Sequence, residues 1–194
     1  MAAKALTLTV DAVRAVAARV GPHLDAALAL LMACRGGIVV TGLGKSGHVG
    51  AKLAATLTST GSPAGFVHAT EALHGDAGIL AADDVLIALS NSGKTTEVLL
   101  VAELAKSRGA SVLSMTGCGG SSPLCRLADV ALDVGVAREA DPYDLVPSAS
   151  TTAAAAVGDA LAIGLMLGHG FGPRELARRH PGGSLGRRLA SEAR

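Results

Sequence analysis

The sequence predicts an α/β fold, a three-layer α/β/α sandwich on a five-stranded parallel sheet, and three observations carry that expectation. Five short apolar runs, IVVT (38–41), AGFV (64–67), DVLIALS (84–90), SVLSMT (111–116) and DVALDV (129–134), are partly β-branched and bounded by turn residues. Helical patterns over 47–60 and 95–107 lie between runs, and apolar strands alternating with helices describe a sheet covered on both faces. With 194 residues, 49% of them apolar, the chain has room for one such domain and is short for two. Right-handed crossovers make a doubly wound sheet the simplest topology.

The elements follow in order. Residues 5–35 form a helical lead-in: Leu6, Val10, Val13, Ala17 and Val20 recur at helical spacing, Gly21-Pro22 interrupts, and Leu24, Leu28 and Leu31 resume up to Gly36-Gly37. The α/β core spans 36–170. It holds the five strands, a connecting segment around EALHGDAG, the loop PYDLVPSAS, and an Ala-rich helix from Ser150 to Leu167. Residues 171–194 read as a polar helical tail.

Composition narrows the function. Seventeen basic and sixteen acidic residues nearly cancel, and two Phe, one Tyr and no Trp leave few stacking platforms, so nucleic acid is not an expected partner. Cys34, Cys118 and Cys125 lack the close pairing of a zinc or redox motif, which suits a reducing compartment. The N-terminus has Lys4, Asp11 and Arg14 and no continuous apolar segment of a secretory signal. The run Ala153 to Leu167 is short for a membrane span and contains Asp159. The expectation is a soluble, cytoplasmic protein without membrane attachment.

In a doubly wound sheet, ligands sit at the carboxyl ends of the strands, where loops enter helix N-termini. Two loops qualify. The first, TGLGKSG, contains G-x-G-x-x-G and ends in GKS. A dinucleotide site would place an acid at the end of the next strand, where His68 stands; a triphosphate loop needs glycine at position 39, which is Val. The second, SNSGKTTE, offers Ser90, Ser92, Thr95 and Thr96 beside Gly93 at a helix start. Hydroxyls, free N–H groups and the helix dipole together hold a phosphate monoester without a metal.

At these residues the chain resembles the sugar isomerase (SIS) family, whose flavodoxin-like domains bind phosphosugars through S-x-S-G-x-T. More narrowly, GLGKSGHVGAKLAATLTSTG, EALHGDAG, SNSGKTTE, SASTT and HPGGSLGR, in this order, are similar to the D-arabinose 5-phosphate isomerases of the KpsF/GutQ type. The resemblance runs from about Arg35 to Leu189 and implies interconversion of D-arabinose 5-phosphate and D-ribulose 5-phosphate. It implies a homotetramer with active sites shared between subunits. Members of that type commonly continue into paired CBS domains; the sequence ends at Arg194, and the expectation is an isomerase domain without them.

Aldose–ketose isomerisation moves one proton between C1 and C2 and another between their oxygens through an enediolate. It needs a base, an acid, and donors for the developing oxyanion. The resemblance places Lys45, His74, Glu97, Glu139 and His180 around the substrate, with His180 reaching a neighbour's site to transfer the C1/C2 proton. Glu97 also suits the dipole of its helix, and Glu139 also suits a solvated loop. Either carboxyl would need desolvation to serve as a base near neutrality. Ser46, Ser90, Ser92 and Thr95 are expected on the phosphate, with Ser148, Thr151 and Thr152 contributing from the next helix start. His23, His48, His68 and His169 are read as structural or solvent-facing. No metal triad is evident and no cofactor is needed. Two other readings stay open: isomerisation of another phosphosugar, and a non-catalytic SIS module that senses one.

Overall fold

A computed structural model describes residues 1–180. Five strands, β1 (Ile38–Gly42), β2 (Ala64–His68), β3 (Val85–Ser90), β4 (Ser111–Thr116) and β5 (Val130–Asp133), pair in parallel in the order β2-β1-β3-β4-β5. This is the flavodoxin-like order, and its topological switch lies between β1 and β3. All five runs read from the sequence are strands, displaced by at most a residue or two.

Helices α1 (Ala2–Met32), α2 (Gly44–Ser59) and α6 (Ala149–Gly168) cover one face, and α3 (Ala69–Ala72), α4 (Thr96–Ser107) and α5 (Pro123–Leu127) the other. A seventh, α7, spans Pro173–Arg179. The period-2 alternation of the strands explains the two layers. Val40, Ile87, Leu89, Leu113, Met115 and Leu132 face α1, α2 and α6, while Val39, Leu86, Ala88 and Val112 face α4 and α5.

The structure departs from the sequence reading in three places. First, α1 does not break at Gly21-Pro22 but runs through as one helix of 31 residues. Pro22 forfeits one intrahelical hydrogen bond, a loss of about 3 kcal/mol, yet Val16 and Val20 before it and Ala27 and Leu31 after it are buried on one stripe. Packing on both sides of the proline holds the axis together. Second, α2 starts three residues earlier than its apolar period suggested, which brings Lys45 and Ser46 into its first turn. Third, α5 was missed: the Ser122 hydroxyl caps it by accepting from Cys125 N, and Pro123 occupies its first turn.

The Ala-rich helix expected from Ser150 to Leu167 is α6, which adds one residue at each end and has 20 residues. Both α1 and α6 are long and apolar enough to cross a membrane by length and composition alone, with mean hydropathy of 1.3 and 1.5. Here they pack against each other, and α6 also packs on α2, with Val157, Leu161 and Leu165 buried in the core. Arg19 fastens α1 to the end of β5 through the Asp133 carboxylate at 2.9 Å and the carbonyls of Asp133 and Gly135. Of the expected tail helix, α7 is present; the rest, including most of HPGGSLGR, lies outside the described residues.

Candidate active site

The switch point directs three loops to the carboxyl edge of the sheet. After β1 the chain turns at once into α2. A Cβ on Gly42 would lie 3.0 Å from the Ser46 carbonyl group, so only glycine lets the first turn of α2 settle on the strand end. Lys45 is exposed and Ser46 half-buried, both on that first turn. None of the ion pairs among the described residues involves Lys45, and the first turn of α2 contains no acidic residue.

After β3, the loop SNSGKTT folds on its own hydroxyls. Ser90 Oγ lies 2.8 Å from Thr95 Oγ1 and accepts from Gly93 N at 3.1 Å, while Ser92 Oγ accepts from Lys94 N at 3.2 Å. Gly93 has φ +60°, and a Cβ there would collide with the Ser122 side chain. Thr95 is the N-cap residue of α4 but makes no side-chain capping bond, and Glu97 stands half-buried in the first turn. Serine hydroxyls and the start of α4 are thus gathered in one place, as S-x-S-G-x-T suggested.

The third loop, between β5 and α6, is organised differently. The Glu139 carboxylate accepts from Ser148 N at 2.9 Å, Ser150 N at 3.1 Å and the hydroxyls of Ser148 and Ser150. Burial opposes ionisation of Glu139, but the Ser150 hydroxyl and the Ser148 and Ser150 amides outweigh it and hold the carboxyl below its ordinary value. A general base working near neutrality needs the opposite shift. In this arrangement Glu139 serves as an internal anionic cap for α6.

The capping bonds also bear on the hydroxyls expected at the phosphate. Ser148 Oγ is engaged with Glu139 and with Ala140 N, and Thr151 and Thr152 both donate to the Ser148 carbonyl at 2.9 Å. Thr152 is exposed and Thr151 half-buried.

A cavity of about 210 Å³ opens where the first and third loops face each other. Lys45, Ser46, Asn91, Ser150 and Thr151 supply its polar lining; Leu89, Met115 and Val134, at or just beyond the ends of β3, β4 and β5, belong to its apolar lining. Asn91 and Ser150 were not singled out from the sequence. Asn91 occupies the variable position of S-x-S-G-x-T, and its carbonyl is fixed by Gly117 N at 2.8 Å. The motif's own frame was the signal that could have found it.

Of the expected site residues, Lys45, Ser46 and Thr151 line this cavity; Ser90, Ser92, Thr95, Glu97, Glu139, Ser148 and Thr152 lie on or beside the three loops without lining it, and His74 and His180 lie on other segments. His74 follows α3, exposed, with its amide donating to Glu71 O at 2.9 Å beyond the edge strand β2. His180 closes α7, with Nδ1 2.8 Å from Leu176 O. The preceding Arg179 donates to Thr58 O near the far end of α2 and stacks over the Phe171 ring at 5.5 Å. Lys45 and His180 therefore sit toward opposite ends of a helix of 16 residues, about 24 Å in length. Within one chain they do not meet. Among the described residues, no group of three or more His, Cys, Asp or Glu could hold a metal ion.

Comparison with known proteins fits this geometry. The sequence model of the SIS domain matches residues 31–164. Arabinose 5-phosphate isomerase KdsD of Pseudomonas aeruginosa is 50% identical over 188 residues, 97% of this chain and 57% of that protein. The chain spans about half the length of the curated relatives it matches. Among solved structures, an E. coli CFT073 protein in complex with A5P superposes with a TM-score of 0.88 at 38% identity, covering 92% of this chain and 94% of that one. A Bacteroides fragilis protein, described as a phosphosugar isomerase involved in capsule formation, gives 0.84 at 35% identity over 90% and 93%. A flavodoxin-like strand order, a hydroxyl-rich loop after β3 and these matches lead to one conclusion: the chain belongs to the SIS domain family.

Proposed function

We propose that this chain is an aldose–ketose isomerase that interconverts D-arabinose 5-phosphate and D-ribulose 5-phosphate through an enediolate. The observation that carries the reading is that Lys45, which stands in the uncapped first turn of α2 and has no ion pair among the described residues, shares a cavity with Asn91 of the hydroxyl-rich loop after β3. The likeness to arabinose 5-phosphate isomerases, and to a structure containing A5P, supports the choice of sugar.

In this reading Ser46, Ser90, Ser92 and Thr95 take the phosphate, aided by the helix N-termini of α2 and α4. After ring opening, a base removes the C2 proton of the aldose, and the electron pair flows toward the aldehyde oxygen. Lys45 holds the resulting enediolate oxygen by charge and hydrogen bonding. Return of the proton to C1, with transfer of a proton between O1 and O2, gives the ketose. His74 and Glu97 are assigned to the sugar end. His180 is assigned to the C1/C2 proton, and its distance from Lys45 within one chain supports delivery from a neighbouring subunit. Glu139 contributes by positioning Ser148 and Ser150 rather than by taking a proton. Residues 1–194 then act as one SIS unit, within a soluble, cytoplasmic homotetramer.

A turnover assay with D-arabinose 5-phosphate, D-ribulose 5-phosphate and a panel of hexulose and heptulose phosphates tests the proposal. Interconversion of the pentose pair with the highest kcat/KM is expected. Preference for another pair would reassign the substrate, and binding without turnover of any pair would overturn the enzyme reading.

A further inference from the structure

Three cysteines lie outside the chemistry above, and two of them are neighbours through a shared hydroxyl. Cys118 Sγ donates to Thr116 Oγ1 at 3.3 Å, and the same oxygen lies 3.1 Å from Cys125 Sγ. Cys118 is half-exposed on a glycine-rich turn, where Gly119 and Gly120 have φ +64° and +81° and open space around them. Cys125 is buried on α5. Burial raises the Cys125 thiol, but the hydroxyls of Ser122 and Thr116 outweigh it and hold the thiol below its ordinary value, which favours a thiolate.

This pair sits against the candidate phosphate loop. Gly117 N donates to Asn91 O at 2.8 Å, and Leu124 N donates to Gly93 O at 3.2 Å, so segment 117–124 grips the loop at both ends. Cys118 Sγ lies 3.2 Å from where a Cβ on Gly93 would stand.

We propose that Cys118 and Cys125 form a reversible disulfide switch, closed by hydrogen peroxide, that weakens sugar-phosphate binding by displacing the SNSGKTT loop. The Cys118 sulfur attacks hydrogen peroxide, the O–O bond breaks, and the departing hydroxide leaves with the thiol proton as one water, giving a sulfenic acid. Cys125 sulfur then attacks Cys118 sulfur, the S–O bond breaks, and a second water leaves. Two thiols lose two electrons and the peroxide becomes two waters. Closing the bridge draws the two sulfurs past the Thr116 hydroxyl. The open space around Gly119 and Gly120 leaves room for the movement, while the backbone bonds from Gly117 and Leu124 transmit it to Asn91 and Gly93.

The consequence for activity rests on the phosphate role proposed for that loop, so the test reads the bond and the binding separately. The full chain is treated with hydrogen peroxide at low excess and then with an alkylating reagent, and its mass and peptides are measured. Loss of two hydrogens is expected, with Cys118 and Cys125 joined and Cys34 alkylated. KM for D-arabinose 5-phosphate should rise at least about threefold, return with dithiothreitol, and stay unchanged on peroxide treatment of Cys118→Ser. Sulfenic or sulfinic acid on Cys118 without the bridge, or a bridge that leaves KM unchanged, would overturn the switch. If the reduced protein turned over no sugar phosphate, the functional proposal would fall instead, while the mass measurement would still decide whether the pair closes.

Discussion

Two helix N-termini face the same cavity, and they meet the same electrostatic need in different ways. At α6, the Glu139 carboxylate reaches back across the loop and takes up the amides and hydroxyls of Ser148 and Ser150. At α2, no side chain caps the first turn, no acid stands in it, and Lys45 adds a further positive charge. A helix start that already holds an internal anion is satisfied as it stands, whereas one left open with a cation beside it is prepared for an anion from outside. Under the proposed function, the contrast gives the α6 end to structure and the α2 end to ligand.

The strongest way to break that assignment is to remove the cation. Lys45→Met is expected to reduce kcat/KM about 100-fold or more, roughly the 3 kcal/mol lost when one oxyanion donor is deleted. A wild-type rate in this variant would show that Lys45 is only a solvated helix-start residue. Next in size, Ser46→Asp would give α2 an internal carboxylate like that of α6. KM for the sugar phosphate should rise about tenfold, equivalent to about 1.4 kcal/mol, while stability in denaturant changes little or improves by about 0.5 kcal/mol. Tighter substrate binding would contradict the contrast.

At the α6 end the expected effect is on stability. Glu139→Gln removes a charged acceptor and should lower unfolding free energy by about 1 kcal/mol at neutral pH, measured by urea titration. Because the folded carboxyl sits below its ordinary value, its contribution is fully present above the unfolded value and is lost as pH falls through the folded one. The difference between wild type and variant should therefore shrink in acid. A difference that grew in acid would be inconsistent with an ionised cap. The smallest effect belongs to Thr152→Ala: its hydroxyl bonds to the Ser148 carbonyl of its own helix, so KM should remain within about twofold.

The same contrast explains what could be read from the sequence. Strand positions and the phosphate-type loop were legible because alternating apolar runs and S-x-S-G-x-T are local patterns. The continuity of α1 through Pro22 was not, since it depends on burial of Val20 and Ala27 against elements distant in the chain. Short α5 carries too few residues for a period, although Ser122-Pro123 marked its start. Glu139 looked like a free loop acid because the direction of a side chain nine residues before its partner is set by the folded loop. His180 showed its motif but not its place, which the Arg179 contact with Thr58 fixes at the far end of α2.

Amide chemical shifts during titration with D-arabinose 5-phosphate test the contrast most directly. Signals from residues 44–47 and 92–95 should move with saturation, while those of Ser148, Ser150 and Thr151 stay close to their free positions. Saturating shifts at Ser148 and Ser150, with residues 44–47 unmoved, would place the anion at α6 and contradict the assignment.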